Sequence, residues 1–136
     1  MPSKWTAAIL LALTPLIFGQ GAIRKTEPIR MLCTVAVGMA RDRAQPNYPA
    51  EARRSGLGGT VIVEVTISKN GRSRVLKVMT GEPVLAAAAV DALTQWRWGL
   101  FFLNGKPVER ATTVAVIFLP AEGKASVVCP AEAGTA

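Results

Sequence analysis

Apolar and polar positions alternate along residues 60–68. Val61, Val63, Val65 and Ile67 fall on one side, Thr60, Glu64, Thr66 and Ser68 on the other, and Ile62 is the exception. A period of two is that of a half-buried strand. Lys69-Asn70-Gly71 follows at once, and Asn-Gly tolerates the positive φ that a tight hairpin turn demands, so the chain reverses there. The return strand over 73–80 carries Val75, Leu76, Val78 and Met79, a less regular alternation that predicts a bulge near its start. Gly81-Glu82-Pro83 then opens a helix, with proline at a first-turn position that needs no N–H. From Leu85 the period becomes helical: Leu85, Ala88, Ala89, Ala92 and Trp96 form one stripe that packs on the sheet. A last core strand is expected over 108–119, with Val114, Val116 and Phe118 facing one way and Pro120 ending it.

The flanks add shorter elements. Tyr48-Pro49 forces an extended residue before a short helix over 50–55, which ends at Gly56. Asn104-Gly105 marks a second turn. Residues 31–37 are apolar enough to be an extra strand, and 125–128 also read as strand-like. The result is a two-layer α+β unit at 46–119, preceded by an extension at 23–45 and followed by a tail at 120–136 whose end is expected to fray. No internal repeat or low-complexity tract is present.

The amino terminus sets the compartment. Lys4 precedes an apolar run over 5–18, and Gly19-Gln20-Gly21-Ala22 supplies small residues where a signal peptidase cuts. The run is short of the roughly 20 residues a spanning helix needs, and Pro15 interrupts it. Residues 1–22 therefore read as a cleaved signal peptide and the mature chain as periplasmic or secreted, with an uncleaved inner-membrane anchor as the alternative. In an exported chain, Cys33 and Cys129 are the one available intrachain pair, and an oxidising compartment would join them as a disulfide. Such a bridge would set two terminal strands, or a strand and a tail, side by side.

Charge and chemistry narrow the function class. The formal net charge is +7, yet the 16 basic residues are scattered and no basic-aromatic nucleic-acid motif occurs. The charge reads as solvation, without a nucleic-acid partner. With no histidine, the usual general base and the commonest metal ligand are both missing. The two cysteines are too far apart for a zinc or redox motif, and the nine carboxylates are spread along the chain. No enzyme, metal site or cofactor is expected.

The ordered set Pro46-x-Tyr48-Pro49-x-x-Ala52, Gly56, Gly59-Thr60-Val61, the hairpin 67–71, Leu85, Ala88-Ala89, Ala92, Trp96-Arg97-Trp98, Asn104-Gly105-Lys106-Pro107-Val108 and Val116-Ile117-Phe118 resembles the carboxy-terminal domain of TonB-family energy transducers across the whole core. The resemblance implies a small antiparallel sheet of three core strands with two helices on one face, to which terminal strands are added here. It also implies binding of an extended segment of an outer-membrane receptor as an added strand, where backbone hydrogen bonds supply affinity and a few side chains supply choice. Carried over residue by residue, Gln45, Pro46, Asn47 and Tyr48 would face the receptor segment. The strand holding Thr112, Val114 and Val116 would be the docking rail, and Glu109 and Arg110 near its start would protect its edge where that edge is free. Pro46, Tyr48 and Pro49 also suit the entry to the first helix, and Trp96 and Trp98 suit the core. Three readings stay open: an envelope module that binds an extended segment of a protein partner, a disulfide-locked structural protein with its edge covered by a terminal strand, and a membrane-anchored energy transducer. A homodimer is an open alternative.

Overall fold

The computed structural model describes residues 27–131, so the signal-like segment 1–22 and all but the first residue of the end expected to fray at 131–136 lie outside the described residues. In chain order the elements are β1 (Ile29–Arg30), α1 (Cys33–Gly38), α2 (Ala50–Arg54), β2 (Gly59–Ile67), β3 (Ser73–Thr80), α3 (Pro83–Thr94), β4 (Phe102–Leu103), β5 (Lys106–Pro107), β6 (Arg110–Leu119) and β7 (Lys124–Val128).

β2 is the spine of the sheet. It pairs antiparallel with β6 in unbroken register from Gly59 opposite Phe118 to Ile67 opposite Arg110. Its other side pairs with β3, where Thr66 lies opposite Val75 but Ile67 opposite Ser73, which is the bulge expected near the start of β3. The period-two pattern sets this register. Val61, Val63, Val65 and Ile67 are fully buried, and each contributes about 1.5–3 kcal/mol by leaving water. A one-residue slip would turn all four to solvent. The same core face carries Val114, Val116 and Phe118 of β6, and α3 covers it with Leu85, Ala89 and Leu93, all buried. The strand order is β1-β6-β2-β3 with β7 also on β6, and β1 runs parallel to its partner. The fold is α+β, as expected.

Several elements differ from the sequence reading. Residues 31–37 do not form a strand; a helix begins at Cys33. Cys33 and Ala36 are buried, and Val37 and Ala40 pack on the core beside them. Positions 33, 36, 37 and 40 are one helical face, a spacing hidden in a short run that is apolar throughout. The long helix ends at Thr94, so Trp96 and Trp98 lie beyond it. Both are nonetheless in the core at 3% and 0% exposure, with ring centroids 4.8 Å apart. The two Asn-Gly turns are unlike each other. Asn104 and Gly105 both have positive φ (54° and 78°), whereas at 70–71 only Gly71 does (85°).

Candidate functional site

β6 is interior to the sheet, which answers whether the expected docking rail has a free edge. One side is filled by β2. On the other, Ile29 and Arg30 lie opposite Arg110 and Ala111, and the Met31 N–H donates to the Ala111 carbonyl at 2.8 Å. Farther along, β7 pairs with residues 115–119, from Ala115 opposite Val128 to Leu119 opposite Lys124. Only the stretch 112–114 has no strand partner on that side among the described residues. The side chains of Thr112, Val114 and Val116 point into the core and are fully buried, so an added segment would meet β6 through its backbone.

The segment 45–48 divides into two roles. Tyr48 is core: its hydroxyl donates to the Leu57 carbonyl at 2.6 Å, and its ring meets Phe118 edge-on at 5.2 Å. Pro46 is also buried, and Asn47 and Gln45 are exposed. Gln45 borders two clefts. One, of about 170 Å³, lies between it, Trp96 and Val127; the other, of about 430 Å³, is shared with Pro46, Lys124 and Ser126. The backbone leading to Gln45 is fixed by the Trp96 indole N–H, which donates to the Ala44 carbonyl at 3.0 Å. Gln45 and Pro46 thus lie beside β7, and β7 lies on β6.

β7 is lightly held by its side chains. Ala125 and Val127 pack against the core, while Lys124 and Ser126 are exposed. It is tied covalently just past its end, where Cys129 is bonded to Cys33 at the start of α1, with Cα atoms 5.5 Å apart. The bridge joins residues 96 apart in sequence, a loop whose closure is worth about 4–5 kcal/mol by the chain-entropy argument. The strand character of 125–128 was legible in the sequence; its pairing with β6 was not, because nothing local to a five-residue strand names its neighbour.

The charges near β6 are partly internal. Arg110, expected to guard an open edge, is buried instead. Its Nη2 donates to the carbonyls of Trp98 (3.2 Å) and Gly99 (2.6 Å), and its guanidinium lies over the Phe101 ring at 5.9 Å. Desolvation lowers its pKa from the ordinary arginine value. Glu109 pairs with Arg74 of β3 at 2.7 Å, and Arg30 of β1 pairs with Glu64 of β2 at 2.8 Å across β6. Both pairs are largely exposed and worth little individually. Among the described residues, no helix is long and apolar enough to cross a membrane.

Known proteins share this unit. Residues 44–120 match the family described as Gram-negative bacterial TonB protein C-terminal. "Protein TonB" of Vibrio cholerae serotype O1 (strain ATCC 39315 / El Tor Inaba N16961) is 31% identical over 78 residues, 56% of this chain and 32% of that protein. The matched stretch therefore spans about a third of that relative's length. The family match takes in α2, β2, β3, α3 and β6 and stops at Pro120, leaving Cys33, β7 and Cys129 outside it. With more than half of its residues matched, the chain belongs to the TonB C-terminal family.

Proposed function

We propose that this chain is a non-catalytic binding module of the cell envelope that takes up an extended segment of an outer-membrane or other envelope protein as an added strand on β6. The observation that carries this reading is that β6 already accepts such a segment: its outer side over 115–119 pairs with a five-residue strand that is only partly buried. The incoming segment takes the place of β7, with Gln45 and Pro46 along its flank and Asn47 nearby. Backbone hydrogen bonds supply most of its affinity. The signal-like segment 1–22 and the disulfide both suit export to the periplasm. A receptor of the outer membrane is the partner that family membership favours.

The covered edge also favours a second reading, a disulfide-locked envelope protein that binds no peptide. Photo-crosslinking separates the two. With a benzophenone amino acid at position 45 or 47, the binding module forms an adduct that maps to an extended segment of an envelope protein, while the same probe at exposed Ala87 does not. Absence of an adduct from both positions in intact cells, in the Cys33→Ser/Cys129→Ser chain as well as the wild type, would favour the locked structural protein.

A further inference from the structure

We propose that the Cys33–Cys129 disulfide gates the β6 edge: oxidised, it holds β7 in place and keeps an incoming strand out, and reduced, it lets β7 leave and opens residues 115–119. The inference rests on the strand-addition reading above and assigns its regulation. One covalent bond links the two segments that pair along the outer side of β6. Cys129 follows Val128, which lies opposite Ala115, and Cys33 follows closely on Met31, whose N–H binds Ala111.

Apart from that bond, β7 is held by its backbone pairing with residues 115–119, and its side chains add little. None of its residues is fully buried, and only Ala125 and Val127 rest on the core. Its other end is a tight turn in which the Glu122 N–H donates to the Leu119 carbonyl and the Gly123 N–H to the Pro120 carbonyl. With the bridge intact, β7 is closed at both ends. Without it, the Cys129 end of β7 is held only by its pairing with residues 115–119 and the packing of Ala125 and Val127, and a short, partly exposed strand opens locally at low cost. The core does not depend on β7 to the same degree, because Val114, Val116 and Phe118 are buried on the face that packs toward α3.

The opening step is a thiol–disulfide exchange with a dithiol reductant. Its thiolate attacks the sulfur of Cys129, the less buried of the pair, and expels the Cys33 thiolate. The second thiol of the reductant then displaces Cys129. Two electrons and two protons pass to the protein's cysteines, and the reductant leaves as its own disulfide.

The test uses a fluorescein-labelled synthetic copy of residues 121–130 carrying Cys129→Ser, followed by anisotropy. It is titrated into the oxidised full chain, the same chain reduced with dithiothreitol, the Cys33→Ser/Cys129→Ser variant, and that variant with Val127→Asp added to expel β7. Binding at least tenfold tighter to the reduced and double-variant chains than to the oxidised one is expected, and tighter still with Val127→Asp. Equal binding to the oxidised and reduced chains, with the triple variant still binding, overturns the gate and leaves strand addition standing. A triple variant that melts cooperatively but takes no probe overturns both. Hydrogen exchange on the reduced wild-type chain decides should the variants not fold. Protection lost at β7 and at the β6 amides that face it, and kept between β2 and β3, supports the gate; protection lost throughout makes the bridge a stabiliser of the whole fold and sinks it.

Discussion

The indole N–H of Trp98 donates to Ser73 Oγ at 2.8 Å, and that hydroxyl donates onward to the Leu93 carbonyl at 2.7 Å. One serine at the start of β3 thus links a fully buried tryptophan to the last turn of α3. Ser73→Ala leaves a buried indole N–H without its acceptor, which costs about 1–3 kcal/mol. The expected result is a melting temperature lower by several degrees with far-UV circular dichroism unchanged. A shift of less than a degree would mean that water replaces the hydroxyl.

Gly71 and Gly105 are both at positive φ, 85° and 78°, yet their surroundings differ. A Cβ on Gly71 would lie 2.9 Å from the Gly99 carbonyl oxygen, whereas one on Gly105 would meet nothing within 4 Å. Gly105→Ala therefore costs only the left-handed backbone strain, about 1–2 kcal/mol. Gly71→Ala adds a clash with backbone that also accepts from Arg110 and is expected to cost more. Urea denaturation of the pair checks the order, and equal midpoints would refute it.

Arg110 is a buried cation whose Nε and Nη1 have no partner among the described residues. Burial lowers its pKa, so the fold disfavours the charged form relative to the unfolded chain. That cost is present at every pH below the folded-state pKa and is relieved only as the pH rises through it, which places no stability change from Arg110 near neutrality. Arg110→Met removes the cost but strands two carbonyls, and the two effects are expected to offset to within about 1 kcal/mol. Arg110→Ala also opens a cavity and is expected to lose about 2–4 kcal/mol. Thermal melts at neutral pH distinguish them.

Tyr48 and Gln45 come from one sequence segment and are predicted to fail differently. Tyr48→Phe loses the hydrogen bond to Leu57, about 1 kcal/mol of stability, with affinity for an added strand unchanged. Gln45→Ala, at an exposed position, leaves stability within about 0.5 kcal/mol. It weakens strand binding by roughly fivefold, the worth of one hydrogen bond. The reverse pattern in paired melts and titrations of the Cys33→Ser/Cys129→Ser background would exchange their roles.

The central hairpin, the α3 stripe and the antiparallel partner strand were readable from residue order because their apolar faces repeat with the period of their own backbone. So was the Cys33–Cys129 pair, since an exported chain with two cysteines has one intrachain choice. The helical face at 33, 36, 37 and 40 was lost in a run too short and too uniformly apolar to show a period. What tertiary structure alone decided is which backbone lies beside which. β1 and β7 pair along the outer side of β6, making the expected rail an interior strand, and Arg110 moves from an edge guard to a buried cation. Periodicity reports which face of a strand is buried; it carries no record of what hydrogen-bonds along the strand's edge, because those groups belong to the backbone and are the same for every sequence.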